Sequence, residues 1–159
     1  MERLTSLYID KESHKFSAAH YTIFSATSRE RLHGHNYSVS ARIVAPVGEN
    51  GLSADYNLYK NRLSILCDSL DEYMLLAGNS PFQDIEETGS CYRVKYDRDE
   101  MLFLQSDTQV LPVRNVTVEE LSHFLLQQLV AESAGEDLRE IQLCVASGAA
   151  QRACSIWTV

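Results

Sequence analysis

"HGHNYSVSARIVA", residues 33–45, alternates at period two: His33, His35, Tyr37, Val39, Ala41, Ile43 and Ala45 share one face, and Ser38, Ser40 and Arg42 take the other. The pattern predicts a half-buried strand with one face toward a core and one toward water. Two histidines separated by a single glycine open its more apolar face, so the same residues raise the question of function. In a strand, residues i and i+2 point the same way about 6.6–7 Å apart at Cα, and two imidazoles so placed can converge on one ion. By itself His-x-His is a weak sign of metal binding.

Working upstream, residues 5–19 carry the same alternation through His14, Phe16 and Ala18 to His20, and predict a first strand. If the two strands are hairpin partners, His20 can join His33 and His35. Three imidazoles with an open fourth position are a catalytic rather than a structural zinc arrangement. His14 and His123 lack such company: His14 only shares the face, and His123 falls inside a predicted helix as a polar or capping residue.

Downstream the period changes. From Asp55, Tyr59, Leu63, Leu66, Leu70 and Tyr73 follow helical spacing, predicting one amphipathic helix that ends near Ala77–Gly78. "CYRVKYDRDEMLFLQ", residues 91–105, reads as a hairpin turning at "DRDE". Thr117 and Glu120 form a capping box ahead of Val118, Leu121, Leu125 and Leu129, which lie along one helical stripe. Ile141, Leu143 and Val145 alternate in a further strand, and "ACSIWTV" predicts the last. The order strand, strand, helix, hairpin, helix, strand, strand predicts an α+β domain with an antiparallel sheet.

The chain has 159 residues, within reach of one domain spanning 1–159. Its formal net charge is −8 and its pI is near 5.0, with lysine and arginine scattered. These features argue against a nucleic-acid footprint or a polybasic membrane anchor. No apolar run approaches the roughly 18 residues of a membrane span, and "MERLTSLYIDKESHK" is too charged for a signal peptide, so a cytoplasmic protein is expected. Cys67, Cys91, Cys144 and Cys154 contain no CxxC and read as free thiols, with Cys154 in the last strand a minor candidate for a pocket base.

Five blocks in this order carry a resemblance: "FSAAH" (16–20), "LHGHNY" (32–37), "SADY" (53–56), "LDEYMLL" (70–76) and "NVTVEEL" (115–121). Together the chain resembles the 6-pyruvoyl-tetrahydropterin synthase and 6-carboxytetrahydropterin synthase family from about residue 5 to 145. The resemblance implies a tunnelling fold, with an antiparallel four-stranded sheet, two helices on one face and an inserted hairpin. It also implies a homo-oligomer, trimer or hexamer, with active sites between subunits, and zinc held by His20, His33 and His35.

Three positions depart from the family pattern. Arg29 stands where the family's usual base is a cysteine, Glu72 stands after Asp71 where the family has a histidine, and Ser147 stands where a glutamate grips the pterin edge. A hydroxyl cannot replace a bidentate carboxylate. Thr117 matches a family threonine of that pocket. One branch of the family carries a glutamate just before His-Gly-His and cleaves the dihydroneopterin side chain, and Glu30 is suitably placed to match it.

The expected function is therefore a zinc-dependent pterin lyase acting on dihydroneopterin or its triphosphate. Glu30, Asp71 and Glu72 would serve proton transfer, and Thr117 and Ser147 would contact substrate. The alternative is a non-catalytic relative that keeps the metal and the fold but binds another small molecule or serves as an assembly subunit.

Overall fold

The computed structural model describes residues 2–159. The predicted histidine strand is the longest in the molecule, β3 (His33–Pro46), and it organises the rest. β1 (Leu4–Ile9) and β2 (Lys15–His20) both run antiparallel to it, and they lie end to end along the same edge. The single first strand expected from the alternation is thus two strands interrupted at residues 10–14, where Val39 N–H donates to His14 O. The other edge of β3 pairs with β9 (Glu140–Gly148), which pairs in turn with β10 (Gln151–Thr158).

The first predicted helix is shorter than its periodicity suggested. α1 (Tyr56–Asp68), capped by the Asp55 carboxylate on Asn57 N–H, stops at Ser69, and Tyr73–Ala77 forms strand β4 instead. Glu72, with φ +63°, turns the chain between them. Four successive buried residues, Met74 to Ala77, fit a strand covered on both faces, and β4 does run parallel to β2 and to β8 (Thr108–Leu111). The four-stranded antiparallel sheet is accordingly corrected to a seven-stranded mixed one, in the order β10-β9-β3-β2-β4-β8 with β1 beside β3.

The expected hairpin is present as β6 (Cys91–Tyr96) and β7 (Asp99–Leu104), but β5 (Gln83–Thr88) joins it to make a separate three-stranded antiparallel sheet. α2 (Val118–Glu132) begins at the Thr117 cap, whose hydroxyl accepts from Glu120 N–H. The Glu120 carboxylate does not close a capping box; it accepts from Arg114 N–H instead.

Both helices cover one face of the large sheet. Tyr59, Leu63 and Leu66 from α1 and Leu121, Leu125 and Leu129 from α2 pack on Val39, Ala41, Ile43, Ile141, Leu143 and Val145, all buried. A smaller cluster, Tyr21, Ile23, Met74, Leu76, Val94 and Tyr96, joins the three-stranded sheet to the main body. None of the described helices is long and apolar enough to cross a membrane.

The expectation of four free thiols is corrected. Cys144 and Cys154 stand directly opposite one another across β9 and β10 and form a disulfide, which also removes Cys154 as a pocket base. Cys67 lies on the buried face of α1, and burial, reinforced by the charges of Asp68 and Asp71, pushes its thiol up to about 12. The thiolate is the nucleophile. Iodoacetamide near about pH 8 should therefore label Cys91 in the native protein and reach Cys67 only after denaturation. Peptide mass spectrometry showing equal modification of both would contradict this burial.

Candidate metal centre and its pocket

His20 closes β2 and stands directly opposite His33 in the ladder, while His35 faces Ala18. By strand alternation all three rings emerge on one face, with centroids 4.6 Å (His20–His33), 5.1 Å (His20–His35) and 4.8 Å (His33–His35) apart. One ring nitrogen from each lies within 4.8 Å of the others.

The hydrogen bonds sort the ring nitrogens. His20 Nδ1 lies 2.8 Å from Val116 O and His33 Nδ1 lies 2.7 Å from Arg31 O, and because a carbonyl only accepts, each Nδ1 carries the proton. Each Nε2 is then left with a lone pair, the usual outer-sphere arrangement of metal-binding imidazoles. His20 Nε2 is buried without a partner, and His33 Nε2 sits 3.0 Å from His35 Nε2. Two ligands about 2.0–2.1 Å from a tetrahedral ion stand roughly 3.3–3.4 Å apart. The donor set therefore fits a divalent cation. Burial, foremost, and the neighbouring imidazoles hold the His20 pKa below the usual histidine range, which keeps its lone pair available.

Glu30 is beside this cluster, with Oε2 3.9 Å from His33 Nε2. Its carboxylate accepts from Thr22 N–H at 3.1 Å. Partial burial works to raise its pKa, but the hydrogen bonds from Thr22 and the nearby histidines outweigh it and hold the group below the usual carboxylate range. Glu30 is thus ionised at neutral pH.

His20, Glu30 and His35 open into a pocket of about 460 Å³, whose far side is built by Thr117 at the start of α2 and by Ser147 and Gln151 of the β9–β10 hairpin. The predicted substrate residues Thr117 and Ser147 are therefore brought to the same cavity as His20, His35 and Glu30. Thr117 divides its side chain between cap and pocket, and Ser147 Oγ donates to Gln151 Oε1 at 3.3 Å. Tyr37 was not among the expected site residues. It lines this pocket with a buried hydroxyl that has no partner, and burial raises its pKa, so it remains a neutral phenol. Its signal was present in the sequence as the third member of the histidine face.

Asp71 and Glu72 lie elsewhere in the chain. Asp71 Oδ1 accepts from Ser17 N–H at 2.7 Å, and Glu72 lines a second cavity of about 490 Å³ with Ser17, Asn36 and Asp107. Ser17 and Asn36 point away from the helix-covered face, so this cavity opens on the other side of the β2–β3 ladder, where His35 also lines it.

Residues 8–152 match the family model described as 6-pyruvoyl tetrahydropterin synthase. A Methanocaldococcus jannaschii protein provisionally named 6-carboxy-5,6,7,8-tetrahydropterin synthase is 24% identical over 144 residues, covering 88% of each chain. The crystal structure of 6-pyruvoyl tetrahydropterin synthase from Plasmodium vivax superposes with a TM-score of 0.94 at 24% identity, covering 99% of this chain and 100% of that one. The Plasmodium falciparum enzyme gives 0.91 at 25% identity, with 98% and 99% covered. A further structure of the vivax protein is a catalytic-residue mutant in which a glutamate is replaced by alanine.

Proposed function

Because the chain belongs to the 6-pyruvoyl tetrahydropterin synthase family, we propose that it is a zinc-dependent pterin lyase acting on dihydroneopterin or its triphosphate in the cytoplasm, as a single domain spanning residues 1–159. The observation that carries the reading is the cluster of His20, His33 and His35, two of them with Nδ1 committed to a carbonyl, beside the ionised Glu30 at the mouth of one pocket. His20, His33 and His35 would hold the ion. When bound, a divalent cation polarises substrate side-chain oxygens and lowers their proton affinity.

Glu30 accepts a proton from the substrate side chain. In elimination the proton leaves carbon and triphosphate departs as the double bond forms. In side-chain cleavage it leaves a hydroxyl, a carbonyl forms at that oxygen as the neighbouring carbon–carbon bond breaks, and the bond's electron pair passes to the carbon attached to the pterin ring, which then takes up a proton. A carboxylate is an intrinsically weak base, with an ordinary pKa near 4.3, so the role suits an acidified donor. The glutamate named as catalytic in the vivax protein supports this assignment. Thr117 and Ser147 orient the ring system as neutral hydrogen-bonding groups, and the Tyr37 hydroxyl is available as a further donor.

Neither Asp71 nor Glu72 lines the pocket shared by His20 and Glu30, although Glu72 shares its own cavity with His35. We read them as groups presented to a neighbouring copy in a trimeric or hexameric assembly, where proton transfer would be shared between subunits. The competing reading, a metal-binding relative that turns over no pterin, is favoured by one observation: the position of the pterin-gripping carboxylate is Ser147, already bonded to Gln151.

The deciding experiment is a product assay. Zinc-loaded protein is incubated with dihydroneopterin triphosphate and, separately, with dihydroneopterin, with His33→Ala as control, and products are resolved by chromatography with fluorescence. A metal-dependent product absent from the control supports the enzyme, and its identity distinguishes elimination from cleavage. Metal-loaded protein that converts neither substrate supports the non-catalytic reading.

A further inference from the structure

Between His20 and His33 the chain makes an excursion that folds back on itself. Phe24 N–H donates to Ser28 O and Glu30 N–H to Thr22 O, both at 2.8 Å, and Ile23 bridges Arg29. Glu30 therefore sits on the returning leg of a small hairpin whose two ends are metal-ligand candidates. Nothing in that hairpin alone fixes a half-exposed carboxylate: its oxygens have one neighbour, Thr22, on the same excursion.

Further contacts tie the excursion to the three-stranded sheet. The Arg29 guanidinium lies over the Tyr21 ring at 5.1 Å and the Tyr96 ring at 5.6 Å, and its Nη1 donates to Glu30 O at 2.9 Å. Tyr96 ends β6 of the three-stranded sheet, and its hydroxyl donates to Ser25 O at 2.9 Å. The Tyr21 hydroxyl donates to Gln83 Oε1, and Gln83 Nε2 in turn donates to Ala77 O at the end of β4. One planar cation and two phenols thus tie the small sheet to the peptide that carries Glu30.

We propose that Arg29 is a positioning residue: held between Tyr21 and Tyr96, it fixes the Glu30 peptide and with it the place of the carboxylate beside the histidines. The inference rests on Glu30 being the proton acceptor described above. The guanidinium suits the task because its flat faces stack on aromatic rings while its in-plane N–H groups remain free to donate. An ammonium is a point charge and offers no such face. A misplacement of about 1 Å in a catalytic group costs on the order of 100-fold in rate, which sets the scale of the effect.

The test compares Arg29→Met, Arg29→Lys and Tyr96→Leu in the full-length zinc-loaded protein. Arg29→Met should lower kcat about 10- to 100-fold, with KM and zinc stoichiometry unchanged and no further loss when added to Glu30→Gln. Arg29→Lys should restore only a minor part, and Tyr96→Leu should show the same pattern more weakly. By hydrogen exchange, the Glu30 amide should open roughly tenfold faster in Arg29→Met and measurably faster in Tyr96→Leu, while amides of α2 and β9 keep wild-type protection. Wild-type kcat in Arg29→Met, or a full further loss on Glu30→Gln, would overturn the proposal, as would unchanged Glu30 exchange in a folded variant of either residue. If the wild-type protein turns over no pterin, the functional reading fails, and exchange at Glu30 still decides whether Arg29 holds it.

Discussion

His20→Ala should release the metal and abolish turnover while leaving a folded domain. His20 is the buried imidazole of the three, its Nδ1 proton is committed to Val116 O, and its Nε2 has no protein partner. Loss of an outer-sphere partner alone weakens metal sites about 10- to 100-fold, so removal of a ligand should exceed that. The fold should pay about 1–3 kcal/mol for the unsatisfied Val116 carbonyl, well short of unfolding a domain whose helix-covered core is elsewhere. Metal content by elemental analysis and a thermal melt on the same sample check both halves. Full metal occupancy in His20→Ala would mean that the triad is not the metal site.

Glu30→Gln should do the reverse, keeping the metal and losing the chemistry. General-base groups contribute about 10²- to 10⁴-fold, and the amide cannot accept the proton. Since the Glu30 pKa is depressed, its ionised form is fully present above the ordinary carboxylate range and is lost only as pH falls through the lowered value. The wild-type rate should therefore show no acid limb from this group until pH drops below about 4.3. Single-turnover rates with equal zinc content in the two proteins are the measurement. Unchanged rates in Glu30→Gln would remove Glu30 from the mechanism.

The metal candidates were legible in the sequence because a period-two pattern fixes which side chains share a face. Once β2 and β3 are hairpin partners, His20, His33 and His35 can only emerge together. The helix-two cap at Thr117 was equally local. β4 was not legible: "YMLLA" continues the apolar spacing of α1, and only the reversal at Glu72 and parallel pairing with β2 and β8 make it a strand. The disulfide escaped for a similar reason. Cys144 and Cys154 are ten residues apart, a spacing that means nothing until the register of β9 and β10 sets them face to face. Asp71 and Glu72 were readable as motif residues but not as neighbours of a particular pocket, since their location depends on a turn between two elements.

Gly34 separates the two histidines of β3 and faces Ala19 across the ladder. A Cβ at that position would come to 3.1 Å from Ala18 O, on the backbone of the very strand that ends in His20. Since main chain cannot rotate aside as a side chain does, the added methyl would be accommodated by spreading β2 from β3 by a few tenths of an ångström. The distance between His20 and the His33–His35 pair is set by that interstrand gap. The glycine thus acts as the gauge of the site: its missing side chain fixes the spacing of the three imidazoles from the opposite side of the sheet, without lying among them.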